Sequence, residues 1–408
     1  MRSYDGGLFF RARRSRSQQL ALPFSLEFLA ANRPAGDRLL PSKKESEFRK
    51  GLGMNDSVLL RFPRSEGQHL QLPEECGLFL TGYEADSEVR QALGIALERI
   101  VYALGFVGMD LRALDGITLA RDCRKAAMAL QRLPEGQAPL EMGEQPDTLE
   151  MARTVAVWRE KELRFHIVLR AGLGLMTLSP EKDQQELADA CIAHEAAHVE
   201  HEGHLFRTFP DIYGRPLPCG DRSRLAFVKA MDVWSEYAAC RSSAMFRPEA
   251  VEEFEGMFCR AFEDSLAVCK ERIAAFRRDP DALEIAREIQ QIFGDVFVCA
   301  GYFLGHVEGT ELDLKDDASR VSALLKQYPP MEELFTRLRC ELQELWLTEC
   351  AWKSIDVFAP VYDLICEMMA QHGMIFVRHG EEWKVVMYED QTALEAAQET
   401  LSRWQKPD

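Results

Sequence analysis

Four of the chain's nine histidines fall within eleven residues, in the run His194-Glu195-Ala196-Ala197-His198-Val199-Glu200-His201-Glu202-Gly203-His204. Its core has the form HExxH. Residues four apart share one face of a helix, so the imidazoles of His194 and His198 can reach a single ion. Glu195 stands one position on, about 100° around at 3.6 residues per turn, where it flanks the ion without ligating it. From there its carboxylate can take a proton from a zinc-activated water and serve as general base. Two neutral imidazoles suit Zn2+, which also asks for a third protein ligand and, in a hydrolytic site, one open position. The small residues Ala190, Ala193, Ala196 and Ala197 leave room for neighbouring elements to approach the motif. The bland alternative is a solvated, histidine-rich helix end with Glu195, Glu200 and Glu202 as ordinary surface charge.

A third ligand is expected on the next helix, in Met231-Asp232-Val233-Trp234-Ser235-Glu236-Tyr237-Ala238-Ala239-Cys240-Arg241. A carboxylate among apolar neighbours is expensive to bury unless it is paired or ligated. Glu236, set between Val233, Trp234, Tyr237 and Ala239, is the best candidate. Asp232, one turn earlier, could hydrogen-bond a ligand histidine instead, or exchange roles with Glu236. His204 offers another parse, as a third histidine ten residues after the first. His201, Tyr237 and Tyr213 are candidate proton donors or oxyanion stabilisers. Cys191, Cys240 and Cys219 lie near enough in sequence for a thiolate to block the open position, although buried cysteine is more often inert packing.

HExxH followed by a glutamate on a downstream helix resembles the gluzincin branch of the zincin metallopeptidases. The resemblance covers about residues 150–245. It implies zinc bound by His194, His198 and Glu236, with Glu195 as general base. In that family the strand before the active helix lines the cleft and pairs with an extended substrate, and Leu163–Leu169 is similarly placed. Ser235 and Cys240 depart from the family's Asn-Glu-x-x-x-Asp form. A looser likeness is to ImmA/IrrE-type peptidases. The His204 parse resembles the metzincins, but His201 stands where that family has the glycine that breaks the helix.

Elements must hold these residues in place. Ser179-Pro180 reads as a helix start, and the helix can run through His198 to Glu202 with Gly203 as its stop. Strands are expected at Thr154–Trp158 and Leu163–Leu169, and a hairpin from Ser57–Phe62 and His69–Leu72. Helices are expected at Glu84–Leu104, over much of 118–132, at about 222–245, and at 249–277, 281–304, 331–349 and 351–371. A hairpin, Met374–Arg378 with Trp383–Tyr388, and a short helix after Thr392 close the chain. The segments 134–148 and 205–221 read as loops. The expected fold is α+β: a flexible basic arm at 1–50, a zincin-like domain at 51–248, and a mostly helical domain at 249–408.

With 408 residues, more than one domain is the default. Hydrophobic residues are 47% and charged residues 28%, which excludes a disordered or collagen-like chain. The net charge is −17, yet residues 1–50 carry 11 Lys and Arg against 5 Asp and Glu. An acidic body repels a phosphate backbone, so nucleic acid is not an expected partner except through the arm. Arg11, Arg13, Arg14 and Arg16 precede the apolar stretch Leu20–Ala31, but Pro23 and Glu27 interrupt it, which argues against an export signal. No stretch reaches the roughly 18 apolar residues of a membrane span, so no membrane association is expected. Eleven cysteines without a close CxxC pair point to buried thiols in a reducing cytoplasm. Two function classes follow. One is a zinc-dependent endopeptidase acting on a protein or peptide; the other is a non-catalytic module in which zinc staples two helices and 249–408 binds a partner protein.

Overall fold

The computed structural model describes residues 57–62, 70–81, 87–130, 151–159, 162–212, 224–276, 283–311, 319–379 and 382–387. The arm at 1–50, the loop at 134–148 and the helix expected after Thr392 lie outside these residues. The architecture is mixed α and β and mostly helical, with one five-stranded sheet. The chain divides into two compact units at Arg207/Thr208, whereas the sequence reading placed its boundary at 248/249. The helix before that expected boundary belongs with those that follow it, for the packing reason given below.

In the first unit the sheet has the order β1-β2-β3-β5-β4. Its strands are β1 (Ser57–Arg61), β2 (Glu75–Thr81), β3 (Leu114–Ala120), β4 (Ala152–Arg159) and β5 (Glu162–Arg170). The outer pairs β1/β2 and β4/β5 are antiparallel, and β3 runs parallel to both β2 and β5. Ser57–Arg61 is a strand as expected, but its partner is β2 and not His69–Leu72. Strand β3 escaped the sequence reading because all seven of its residues are buried, so it lacks the alternation of a half-exposed strand.

The helices of this unit are α1 (Ser87–Phe106), α2 (Cys123–Leu130), α3 (Ala171–Met176) and α4 (Lys182–Thr208). Side chains alternate across β4. Val155 and Val157 join Val168 of β5 in a core with Cys123, Ala126, Ala127 and Leu130 of α2. Thr154 and Trp158 turn to the opposite face, where Thr154 meets Glu195 and Trp158 sets its ring edge-on to Phe206 of α4. The sheet is thus covered by α2 on one face and α4 on the other. Gly203 does not stop α4, which continues to Thr208. A Cβ at Gly203 would stand 3.2 Å from the Ala113 Cβ, so the missing side chain lets the helix lie close to the sheet.

A polar network is buried inside this sheet. The His166 ring nitrogens lie 2.8 Å from the Asp115 carboxylate and 2.8 Å from the Thr118 hydroxyl. Arg159 reaches the same carboxylate through two contacts of 2.7 and 2.6 Å. Burial works to raise the Asp115 carboxyl, but His166 and Arg159 outweigh it and hold it down at about 2.

The second unit holds α5 (Arg224–Ser243), α6 (Val251–Phe276), α7 (Leu283–Gly309), α8 (Arg320–Gln327), α9 (Pro329–Thr348), α10 (Ala359–Gln371) and the hairpin β6 (Met374–His379) with β7 (Glu382–Met387). Helices α5 and α7 pack backbone against backbone. A Cβ on Gly301 would stand 2.7 Å from the Val233 carbonyl, and one on Gly305 or Gly309 would overlap the carbonyl of Tyr237 or Arg241. This seam places α5 with the later helices. Nearby, Glu308 of α7, its side chain largely covered, accepts from the Tyr237 hydroxyl, from Arg241 at 2.8 Å, and from Arg339 and Gln343 of α9 at 3.0 and 2.7 Å. Among the described residues no helix is long and apolar enough to cross a membrane.

Two outcomes follow for stability. The depressed Asp115 carboxyl stabilises the fold above the ordinary carboxylate value and loses that contribution as the pH falls towards about 2. The stability gap between wild type and Asp115→Asn in urea unfolding should therefore narrow by about 2 kcal/mol from pH 5 to pH 2; a constant gap would exclude this account. Glu308→Ala leaves two guanidinium groups without their shared carboxylate and should cost about 3 kcal/mol in the same assay.

Candidate metal centre

Helix α4 carries the HExxH segment deep inside the fold. His194, Glu195, His198 and His201 are all buried, flanked by the buried Ala193, Ala196 and Ala197. A solvated helix end is therefore not what these residues form. The Nε2 atoms of His194 and His198 converge to 3.1 Å, with the two rings nearly perpendicular. Two nitrogens bound to one Zn2+ at 2.0–2.1 Å with a tetrahedral angle stand about 3.3 Å apart, so the pair is spaced for a shared ion.

Glu236 completes the group. One ligand atom from each of His194, His198 and Glu236 lies within 4.8 Å of the others, and all three residues are buried. A buried carboxylate beside two converging imidazoles is a donor set suited to zinc. The alternatives for the third position do not enter this group. Asp232 lies 3.4 Å from Lys229, whose ammonium also binds Asp295 at 2.7 Å. Burial pushes the Asp232 carboxyl up to about 7; Lys229 pulls the other way, and the Glu236 carboxylate adds to the rise. His204 sits ten positions after His194, about 280° around the helix, and α4 does not break between them.

Glu195 is held from the sheet. The Thr154 hydroxyl lies 2.8 Å from Glu195 Oε2 and 2.9 Å from the Glu195 backbone carbonyl, and its proton can serve either oxygen. Nothing in the sequence marked Thr154, because its pairing with Glu195 spans 41 positions. The strand assignment also needs correction. β5, which contains Leu163–Leu169, is flanked by β3 and β4, so both of its edges are occupied and it cannot pair with another chain. The outer strand on this side is β4, the one that bears Thr154.

Other candidates separate as follows. The Tyr237 hydroxyl is engaged with Glu308 and Arg241, and burial together with Glu308 pushes its pKa above the usual phenol range, so it is a poor proton donor. Tyr213 and Cys219 lie outside the described residues. Cys191 and Cys240 are buried, and burial reinforced by the Glu236 carboxylate pushes the Cys240 thiol well up, which disfavours the thiolate that a metal needs. One residue the sequence reading passed over, Tyr302 of α7, lies beside Glu236: burial first, and then that carboxylate, push its phenol well up.

Native-state labelling checks the thiol assignment. A thiol reagent followed by peptide mapping should modify the exposed Cys340 at once and reach Cys191 and Cys240 only on unfolding. Early modification of Cys240 would contradict the buried, protonated thiol described here.

No family model matches the chain, and neither a curated protein nor a solved structure matches it at a significant level.

Proposed function

We propose that the chain is a zinc-dependent endopeptidase of the zincin type that hydrolyses a peptide bond in a protein or peptide substrate. The observation that carries this reading is the buried convergence of His194, His198 and Glu236 beside a glutamate held by Thr154. Each feature has a place in hydrolysis, whereas a stapling site has no use for a positioned fourth group such as Glu195. The stapling alternative also calls for a closed site of four protein ligands, and among the described residues the group has three.

His194, His198 and Glu236 would hold the ion. Bound there, zinc would polarise the scissile carbonyl and make a water acidic enough to attack at neutral pH. Glu195 then accepts the proton of the attacking water at its carboxylate and returns it to the leaving amine. Thr154 limits the rotation of that carboxylate, so the proton acceptor is aimed before substrate arrives. An extended peptide adding to the outer edge of β4 would run along the strand that carries Thr154, next to Glu195.

The central test compares wild type with Glu195→Gln for zinc content and for cleavage of proteome-derived peptides. The variant should keep its zinc and lose at least about 100-fold in turnover, the usual weight of a positioned general base. Undiminished cleavage would remove Glu195 from the mechanism. Thr154→Val should retain zinc and bind peptide equally well but turn it over more slowly, while Thr154→Ser restores the rate. His194→Ala should lower zinc content directly.

A further inference from the structure

The proposed ligand set takes its two imidazoles from one helix turn, whereas Glu236 stands alone on α5. A single carboxylate on a flexible stem has many rotamers, and ligating carboxylates are held by hydrogen bonds from groups behind them. Ser235 and Cys240 occupy the neighbouring positions, and the Cys240 thiol is a weak donor.

The support comes from α7. Its backbone is pressed against α5 at the level of Glu236: Gly301 abuts the Val233 carbonyl and Gly305 the Tyr237 carbonyl, so the two contacts bracket Glu236 in sequence. Tyr302 lies between those glycines. It is buried, and Phe254 of α6 stacks on its ring at 5.9 Å with the planes 6° apart. The ring is therefore fixed in direction, and it lies close enough to Glu236 for that carboxylate, after burial, to push the phenol up. A phenol carries its proton at neutral pH and can give one hydrogen bond. Tyr237, the next residue on α5, is committed to Glu308 and does not compete for this role.

We infer that Tyr302 is a positioning residue for Glu236, its hydroxyl holding one carboxylate oxygen so that the other is presented to the metal. The glycine seam is what makes this possible. Any side chain at 301 or 305 would push α7 away from α5 and carry the hydroxyl out of reach. The inference rests on the zinc reading proposed above.

Zinc affinity of the full-length chain, measured by competition with a chromophoric chelator, tests it without any substrate. Tyr302→Phe removes only the oxygen and should weaken zinc binding 10- to 100-fold, the usual effect of losing a group that orients a ligand. Metal-free thermal unfolding of the same variant, run alongside, should stay near wild type and so separate positioning from folding. In a Glu236→Ala background the Tyr302→Phe change should have no further effect on zinc affinity, because its target is gone. Wild-type chain that takes up no zinc would overturn the metal reading itself. Wild type that binds zinc, with Tyr302→Phe binding equally well, would overturn this inference alone. An equal loss on adding Tyr302→Phe to Glu236→Ala would also overturn it, by showing that the hydroxyl acts elsewhere.

Discussion

Two imidazole nitrogens brought to 3.1 Å inside a buried helix set the terms for everything around them. Polar groups so placed are costly unless they bind something, and the nearby Glu236 carboxylate adds to that cost. In the zinc reading proposed above, a divalent cation would offset it by giving both rings and the carboxylate a common partner. The surroundings keep the helix where this can happen. Gly203 lets α4 lie close to the sheet, Trp158 packs on Phe206, and Asp110 binds Arg207 while its backbone amide donates to Glu200.

The two units meet their polar obligations in different ways. In the sheet, the charged Asp115 sits in a fully buried strand, and its lone pairs are taken up by His166 of the adjacent β5 and by Arg159 of β4, one strand further out. Among the helices, Glu308 gathers a phenol, two guanidinium groups and an amide from α5 and α9. Both are closed networks in which every named donor has an acceptor within reach. The histidine-glutamate group differs, because its members are all lone-pair donors when neutral or ionised as a ligand set requires.

Much of the secondary structure was legible in residue pattern. The helices α1, α5, α6, α7 and α9 lie close to their expected ranges because each carries a long amphipathic or apolar repeat. The strands β4 and β5 are rich in β-branched and aromatic residues and were equally visible. Strands β2 and β3 were not, since burial on both faces removes the alternation that betrays a strand. The pairing partner of β1 was also misplaced, because β1 pairs with the next strand along the chain, β2, whose buried pattern hid it. The stop assigned to Gly203 failed for a different reason: a glycine can end a helix or let it approach a neighbour, and only the neighbour decides which.

What the residues alone determined is the chemistry on offer: two histidines one helical turn apart, a glutamate between them, and a carboxylate in an apolar stretch downstream. Those follow from side-chain type and the 3.6-residue period, which are local properties. Only the tertiary structure shows that Glu236 lies within reach of the histidines while Asp232 faces Lys229. It also brought Thr154 to Glu195 and Tyr302 beside Glu236, across 41 and 66 positions of sequence. Such contacts are set by how strands pair and how closely helices can approach. Those distances depend on the packing of the whole chain, and no short window of sequence contains them.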